Sequence, residues 1–269
     1  MEVELPEIII QEDEDLEGKK VLITGGAGSL GKAFINALKD KVDIIVFDTS
    51  EWAVAELRAL HPEIEIHLRD FVEYRYNQHP VDVVIHLAAY KHVELGEVDP
   101  HSFIENNVTK TAKLFSECYK YDADILFIST DKAVEPVSAY GFTKALGEKL
   151  AHNYGGSVAR LGNILSSSGS VIPIWEDAIK NEEPILITDP LMTRYVIEDI
   201  DAAMAIWKGF EEGKKLIVPP CRQVTVLDLA HETMARHGIE GNQYRPGIQI
   251  IGKRPGEKQD EKLKWDHEE

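Results

Sequence analysis

Residues 19–40, which read KKVLITGGAGSLGKAFINALKD, constrain the fold more than any other stretch of the chain. A short apolar run leads into glycines at a GxxGxxG spacing, and apolar residues then recur at the spacing of one helix face. Such a turn brings the backbone close to a pyrophosphate, and the helix that follows points its N-terminus at the phosphates. We therefore predict a dinucleotide-binding strand, turn and helix that use Gly25, Gly28, Ser29, Leu30 and Gly31.

Further apolar segments alternate with helical patterns along the next part of the chain. Buried strands are predicted at residues 43–47, 64–68, 81–89, 125–128 and 157–161. This alternation is typical of an α/β protein with a Rossmann-type, doubly wound parallel sheet. It ends beyond Tyr154, so we expect a Rossmann domain over 18–165 and a small C-terminal substrate-binding lobe over 166–269, partly interleaved with it.

The charge balance limits the possible partners. The chain has 29 Lys and Arg against 47 Asp and Glu, a net charge of -18. Such a surface repels nucleic acid and anionic membranes. The acidic residues 1–17 are expected to form a loosely held lead-in without the features of a signal peptide. The sequence contains no apolar run long enough to span a membrane, so we expect a soluble, cytoplasmic protein. Its two cysteines do not have the spacing of metal ligands, and we expect no metal.

The ends of the first strands suggest how a cofactor would bind. Asp48 ends the second strand about 20 residues past the glycine turn, where a carboxylate can accept hydrogen bonds from an adenosine ribose. No Arg or Lys occurs at 48–51 to neutralise a 2′-phosphate, so NAD is favoured over NADP. Asp70 and Phe71 follow the third strand and are predicted to meet the edge of the adenine ring. The end of the fourth strand has small residues, which would allow a cofactor to approach closely. The residues at this strand end are Leu87, Ala88 and Ala89.

A hydroxyl, a carboxylate and an ammonium follow the fifth strand in direct succession, as Thr130, Asp131 and Lys132. Ligands of open α/β sheets bind outside the carboxyl ends of the strands, so this position favours chemistry. Tyr140 and Lys144 are four residues apart on a predicted helix and share one face. A nearby ammonium lowers the pKa of a phenol, so we predict Tyr140 as a base that Lys144 assists.

Other polar residues are predicted near the site. Asn107 lies in a helix predicted at 103–119, where it is expected to hold backbone or water near the cofactor. Residues 166–173 are predicted from their composition to form a flexible loop that acts as a lid or lines the ligand. Arg160, Arg194 and Arg254 are predicted to converge on a diphosphate, because an acidic protein needs local cations to bind an anion.

Seven motifs follow one another along residues 19–262: TGGAGSLG, HLAAYKHV, ISTDKAVEP, YGFTK, RLGN, TDPLMTRYVI and KRPGEK. In this order they resemble the extended short-chain dehydrogenase/reductases. Within these, they resemble the inverting UDP-N-acetylglucosamine 4,6-dehydratases of the polysaccharide-biosynthesis type. The glycine turn and YxxxK are common to the whole superfamily, whereas STDKA, MTR and RPGEK are much more specific.

The resemblance implies a UDP-sugar substrate and a tightly held NAD. C4 oxidation would be followed by loss of water and reduction at C6. By this resemblance Asp131, Lys132 and Tyr140 carry the chemistry, Lys144 assists, and Thr130 binds near the C4 oxygen. The helices at 103–119 and beyond Tyr140 would form a homodimer or a higher homo-oligomer. The substrate-binding residues are then Lys91, His92, Arg160, Asn163, Val171, Arg194, Arg254 and Glu257.

Two alternatives remain open from the sequence. A UDP-sugar 4-epimerase would share the cofactor, Tyr140 and Lys144 but would not need an acid and a base at Asp131 and Lys132. A non-catalytic NAD-binding protein would need none of these side chains for chemistry. Relatives commonly continue for tens of residues beyond RPGEK, so we expect the reaction type to be better predicted than the sugar.

Overall fold

A parallel sheet forms the centre of the molecule in the computed structural model, which describes residues 18–165, 167, 169–239 and 244–268. The predicted acidic lead-in lies outside the described residues. The strands are β1 (Lys20–Thr24), β2 (Asp43–Asp48), β3 (Glu65–Leu68), β4 (Val83–His86), β5 (Asp124–Thr130), β6 (Ser157–Leu161), β7 (Asn163–Ile164), β8 (Ile185–Ile187), β9 (Thr193–Ile197), β10 (Leu216–Ile217), β11 (Arg222–Thr225) and β12 (Ile248–Ile250).

Helices cover both faces of this sheet and build most of the C-terminal lobe. They are α1 (Ser29–Leu38), α2 (Glu51–Leu60), α3 (Val93–Val98), α4 (Pro100–Ile104), α5 (Thr111–Lys120), α6 (Ala139–Asn153), α7 (Val171–Lys180), α8 (Asp199–Glu211) and α9 (Val226–Arg236). A π-helical segment, Glu105–Lys110, connects α4 to α5. The single helix predicted at 103–119 is therefore made of three helical segments.

The central sheet is doubly wound. Its seven parallel strands lie in the order β10-β6-β5-β4-β1-β2-β3, so the chain order reverses between β1 and β4. Ligands of such sheets bind in the crevice at the carboxyl ends of the strands beside this reversal. The fold confirms the predicted α/β, Rossmann-type architecture and places the candidate site at this reversal.

Successive residues of β1 point into different cores, as expected for a strand that is covered on both faces. Val21 and Ile23 pack in the cluster that contains residues of α1 and α8, including the fully buried Phe34. Leu22 packs in the opposite cluster with Phe115 and residues of α5 and α6. Apolar burial on both faces explains why these strands are nearly continuous apolar runs in the sequence.

The smaller lobe has its own apolar cluster, which α7, α9 and short strands supply. β11, β9 and β7 form one small sheet, and β12 pairs with β8 in another. Three elements cross the predicted boundary at 165: β7 pairs with β9, whereas β10 joins the large sheet and α8 packs on α1. The division into two domains at 165 thus stays a prediction, with interleaved elements on both sides.

The structure also differs from the sequence prediction at several elements. α2, α3, β7 and β11 were not predicted, and α7 begins at Val171 inside the segment predicted as a flexible loop at 166–173. β4 is shorter than predicted, so residues 87–89 follow it as irregular chain. Among the residues that the structure describes, no helix combines the length and apolar character needed to cross a bilayer.

Candidate active site

A cleft of about 860 Å³ lies at the carboxyl ends of the central strands. It runs from the glycine turn, past the ends of β2 and β4, to the start of α6 and α7. Most residues predicted from the sequence line it. They are Gly25, Gly28, Ser29, Leu30, Gly31, Asp48, Asp70, Phe71, Leu87, Ala88, Ala89, Lys91, His92, Thr130, Lys132, Tyr140, Lys144, Asn163 and Val171.

The glycine turn has the backbone geometry that a pyrophosphate site needs. Gly25 has φ +69°, and a Cβ at this residue would lie 2.8 Å from the Ala88 nitrogen. A Cβ at Gly31 would collide with the Gly26 backbone, so α1 packs tightly on the turn. Gly28 has no side chain that could cap α1, and the first turn of this helix lines the cleft, which is the position of an anion site at a helix N-terminus.

Asp48 ties the glycine turn to the end of β2. Its carboxylate accepts hydrogen bonds from the backbone of Ala27 at 3.1 Å and of Ser50 at 2.9 Å. Arg69, which also lines the cleft, donates its backbone N–H to the Asp48 carbonyl at 2.9 Å. The sequence analysis missed this cation because it follows β3, and only the β2–β3 pairing brings it beside Asp48.

Asp70 has a cation as its partner. Its carboxylate accepts a hydrogen bond from the Lys110 ammonium at 2.5 Å and another from the Val72 backbone at 3.0 Å. The hydrogen bond to Asp70 raises the pKa of Lys110. Lys110 belongs to the π-helical segment, so this pair links that segment to the cofactor end of the cleft.

Asn107 positions the chain after β4. Its side chain accepts from the Tyr90 backbone N–H at 2.8 Å, donates to the Tyr90 carbonyl at 2.9 Å and donates to Thr143 Oγ1 at 3.1 Å. It lies behind the cleft wall, and the neighbouring Asn106 lines the cleft instead. Asn107 therefore holds backbone between β4 and α6.

The start of α6 places Tyr140 in the cleft. Ser138 Oγ caps the helix by accepting from the Gly141 backbone at 3.1 Å. Gly141 packs so closely on the Lys132 carbonyl that a Cβ would collide with it. This contact brings the first turn of α6 against the chain that follows β5, and the half-buried Tyr140 faces the cleft with Thr130.

The surroundings of Tyr140 raise its pKa. Shielding from water is the largest cause, the charge of Asp131 adds to it, and a hydrogen bond with Thr130 opposes both. The sequence-based expectation that Lys144 lowers the pKa of Tyr140 is therefore wrong for this arrangement. In the structure, the phenol is next to a carboxylate and Lys144 bonds elsewhere.

Lys144 is buried under the strand end. Its ammonium donates to the Ile128 carbonyl at 2.6 Å and lies 4.0 Å from the centre of the Phe127 ring. Burial lowers the pKa of Lys144 to about 7, although Glu148 acts in the opposite direction. Lys144 thus holds the end of β5 in place and titrates near neutral pH.

Asp131 and Lys132 form a pair beside the cleft. The fully buried Asp131 accepts at Oδ1 from Thr130 at 2.9 Å and from the Lys132 ammonium at 3.0 Å. Lys132 also donates to Asn163 Oδ1 at 3.1 Å. The second Asp131 oxygen, Oδ2, is buried without a hydrogen-bond partner among the described residues. A buried carboxylate oxygen without a hydrogen-bond partner is uncommon in folded proteins and costs free energy.

A second buried carboxylate near Lys132 was missed by the sequence analysis. Glu261 Oε1 lies 3.8 Å from the Lys132 ammonium, and Glu261 Oε2 lies 2.7 Å from the Lys258 ammonium. Lys258 in turn donates to the Val134 carbonyl at 2.7 Å. The segment after KRPGEK therefore packs against the chain that follows β5.

His92 lines the cleft next to Gly169. A Cβ at Gly169 would lie 3.0 Å from a ring carbon of His92. Val171 opens α7 on the same side and lines the cleft. These two predicted substrate residues therefore border the cleft next to the segment that leads into α7.

The three arginines predicted to bind a diphosphate do not line the cleft. Arg160 is 2% exposed and pairs with Glu148 at 2.7 Å and Glu268 at 2.6 Å. Arg194 donates to the carbonyls of Thr193 at 2.7 Å and Gln259 at 3.3 Å.

The third arginine has an acidic partner as well. Arg254 pairs with Glu94 at 2.6 Å, and Glu257 accepts from the Arg254 backbone at 2.9 Å. These contacts correct the predicted convergence, because nearby carboxylates and carbonyls take the guanidinium groups. Arg160, Arg194, Arg254 and Glu257 all lie outside the cleft wall in this structure.

A buried histidine fixes the end of β4. His86 bonds through Nδ1 to Thr24 Oγ1 at 2.6 Å and through Nε2 to Thr111 Oγ1 at 3.0 Å. Burial lowers the pKa of His86, and Lys144 lowers it further. The neutral ring holds β1, β4 and α5 together directly beneath the cleft.

Comparison with known proteins agrees with this site. Residues 21–269 match the family described as polysaccharide biosynthesis protein. The chain is 33% identical over 268 residues to a UDP-glucose 4-epimerase of Rickettsia canadensis, covering 91% of this chain and 77% of that protein. It is 32% identical over 264 residues to the inverting UDP-N-acetylglucosamine 4,6-dehydratase of Campylobacter jejuni, covering 90% and 76%.

Solved structures share the fold. Pen from Bacillus thuringiensis superposes with a TM-score of 0.84 at 28% identity, over 92% of this chain and 84% of that one. DesIV, a dTDP-glucose 4,6-dehydratase from Streptomyces venezuelae solved with NAD and TYD bound, superposes with a TM-score of 0.78 at 20% identity, over 91% and 88%.

Fold and site together define an extended short-chain dehydrogenase/reductase. The chain belongs to the polysaccharide biosynthesis protein family, whose members related to it include nucleotide-sugar dehydratases and epimerases.

Proposed function

We propose that this protein is a nucleotide-sugar 4,6-dehydratase that converts UDP-N-acetylglucosamine, or a related UDP-sugar, to its 4-keto-6-deoxy product. The pair formed by Asp131 and Lys132 carries the proposal. It lies next to Thr130 and Tyr140 at the end of β5, and one oxygen of its carboxylate is buried without a hydrogen-bond partner in the described part of the chain. Elimination of water needs an acid and a base, whereas epimerisation at C4 needs neither of these two residues.

The residues of the cleft fit NAD. The close backbone approach at Gly25, the uncapped start of α1 and the Asp48 carboxylate would hold the pyrophosphate and the adenosine ribose. When bound, NAD would supply a hydride acceptor for C4 and a hydride donor for C6. Asp48 supports NAD over NADP, and Arg69 is the cation that could reduce this preference.

Tyr140 would remove the C4 hydroxyl proton in the first step. The charge of Asp131 and shielding from water oppose the phenolate, whereas the hydrogen bond with Thr130 favours it. A positive charge that enters the cleft beside Tyr140 would therefore lower the pKa of this phenol and favour the phenolate. Lys144 holds the Ile128 carbonyl, and so keeps the end of β5 and Thr130 at the correct depth.

Lys132 and Asp131 would act once C4 is a ketone, because the ketone makes the C5 proton acidic. With the proton of their hydrogen bond on Asp131, the neutral Lys132 nitrogen would take the C5 proton while the Asp131 carboxylic acid donates its proton to the C6 hydroxyl. The C6–O bond then breaks, water leaves and a C5–C6 double bond forms. The Lys132 ammonium formed in this step would return a proton to C5, and the hydride supplied at C6 would complete the reduction.

Two further features of the proposal concern partners. The proposed contacts to the sugar nucleotide come from residues that line the cleft, namely Lys91, His92, Asn163 and Val171.

The exposed apolar side chains on α5 and α6 support an isologous dimer through these helices. They are Tyr119, Phe142 and Leu146.

A UDP-sugar 4-epimerase is the second candidate, because an epimerase is as similar in sequence as the dehydratase. Product analysis separates the two. After incubation of the purified protein with UDP-N-acetylglucosamine, dehydration gives a product lighter by one water with a C6 methyl signal in the proton NMR spectrum. An unchanged mass with an inverted C4 signal would identify an epimerase, and no turnover would favour a non-catalytic NAD-binding protein.

Variants test the roles of the residues one step at a time. Tyr140→Phe should give no NADH absorbance when substrate is added, because the first hydride transfer cannot begin. The double variant Asp131→Asn with Lys132→Ala should still oxidise C4 and accumulate bound NADH, with product formation reduced by about 10² to 10⁴-fold. Lys149→Ala, on the exposed side of α6, is the matched control and should behave as the wild type. Near-normal dehydration by the double variant would contradict the proposed roles.

A further inference from the structure

Three side chains with metal-binding chemistry meet at the edge of the large sheet, outside the cleft wall. Glu65 and His67 are two residues apart on the edge strand β3 and therefore lie on the same face of it. His79 comes from the chain that leads to β4. Glu65 Oε1 lies 2.6 Å from His67 Nε2 and 3.1 Å from His79 Nδ1. The candidate ligand atoms all lie within 4.8 Å of one another. Two imidazoles thus converge on one carboxylate oxygen.

The donor set indicates which ions would suit this cluster. Two imidazole nitrogens and one carboxylate oxygen are typical ligands of Zn²⁺ and other first-row transition metals, whereas Mg²⁺ and Ca²⁺ prefer oxygen alone. With metal–ligand distances of about 2.0–2.1 Å, ligand atoms of a tetrahedral site lie about 3.4 Å apart. The two glutamate–histidine separations, 2.6 and 3.1 Å, are slightly shorter than this value, and all three atoms lie within 4.8 Å of one another. Only small side-chain rotations around the Glu65 oxygen are then needed to admit an ion.

Packing holds the two rings in place before any ion binds. Phe47, which pairs with His67 in the β2–β3 register, contacts the His67 ring at 4.8 Å and the His79 ring at 5.9 Å between centroids. The side chains of His67 and His79 are 23% and 19% exposed, whereas that of Glu65 is 50% exposed. Packing against Phe47 therefore fixes the two histidine rings before an ion binds. The exposed Glu65 leaves room for water to complete the coordination.

We propose that Glu65, His67 and His79 form a binding site for Zn²⁺ or a similar transition-metal ion, with water as the fourth ligand. The ion would join β3 to the chain before β4. β3 leads directly into Arg69 and Asp70, which line the cofactor end of the cleft. The proposed ion would therefore have a structural role. It would hold the edge strand β3, which leads into the part of the cleft proposed to bind adenosine.

The experiment measures Zn²⁺ binding by untagged, chelator-treated protein in equilibrium dialysis, with Mg²⁺ in parallel. We expect saturable binding of one Zn²⁺ per chain that Glu65→Gln and His79→Gln each remove, and no comparable binding of Mg²⁺. Mutation of a residue that only supports a metal ligand typically weakens metal affinity by roughly 10- to 100-fold. Loss of one of the three ligands themselves should weaken Zn²⁺ affinity by more than this. Both substitutions preserve side-chain polarity, and circular dichroism checks that the variants are folded.

A matched control is available in the smaller lobe. His237 also faces a glutamate, Glu176, at 3.8 Å but has no third ligand group among the described residues, so His237→Gln should bind Zn²⁺ as the wild type does. Saturating Zn²⁺ should raise the melting temperature of the wild type and His237→Gln by about 5 °C at roughly 100 times the dissociation constant, and leave Glu65→Gln unchanged. No saturable Zn²⁺ binding by the wild type, or equal binding by Glu65→Gln and His79→Gln, would overturn the proposal.

Discussion

Replacing Lys144 by methionine should stabilise the protein at neutral pH. Lys144 is 3% exposed, and burial lowers its pKa from 10.5 to about 7. Each unit of pKa difference between the folded and unfolded states corresponds to about 1.4 kcal/mol. The full shift therefore costs the folded protein up to about 5 kcal/mol at pH 7, before the lost hydrogen bond to Ile128 is considered.

The pH dependence has a defined direction. Below pH 7 both states of the wild type carry the Lys144 proton, so the cost is constant. Between pH 7 and 10.5 only the unfolded state keeps this proton, so wild-type stability rises relative to that of Lys144→Met. The advantage of Lys144→Met should thus fall by about 1.4 kcal/mol per pH unit. His86, which contacts the same region, stays neutral throughout because burial lowers its pKa.

Urea unfolding followed by tryptophan fluorescence at pH 7, 8 and 9 measures this difference. Lys149→Met, at an exposed position of the same helix, is the control and should show no pH-dependent gain. Lys144→Met should also lose most activity, since the end of β5 is no longer held under Thr130. A destabilised Lys144→Met, or a gain that does not change from pH 7 to pH 9, would refute the assignment of a buried lysine whose pKa is lowered to about 7.

Two further predictions follow from contacts in the structure. Asp48→Asn should weaken binding of NAD more than that of NADP in a titration, and comparable affinity of the wild type for both cofactors would remove the predicted preference. Glu268→Gln should lower the free energy of unfolding by about 1.5–3 kcal/mol, because Arg160 loses a charged partner. Burial alone would raise the pKa of Glu268, but the hydrogen bond from Arg160 lowers it overall, so this contribution is present at neutral pH and is lost in acid. Asp266→Asn, at an 86% exposed side chain, should change stability little in the same urea experiment.

Local sequence patterns determined the first half of the fold and the centre of the site. The glycine spacing fixed the turn between β1 and α1, since only a residue without Cβ fits at Gly25 and Gly31. Apolar runs determined the central strands, because a strand that is buried on both faces cannot contain many polar residues. Thr130 and Tyr140 could be placed in one cleft because strand ends and helix starts meet at one edge of such a sheet.

The tertiary structure alone decided which charges meet. Arg160 and Glu268 are far apart in the sequence, and Arg69 reaches the cofactor end of the cleft only through the β2–β3 pairing. Lys144 shares a helix face with Tyr140, yet its ammonium turns to the Ile128 carbonyl. Ion pairs and pKa values depend on distance and burial between elements that pack together from separate parts of the chain. Periodicity specifies the elements, whereas their packing specifies the partner of each charged group.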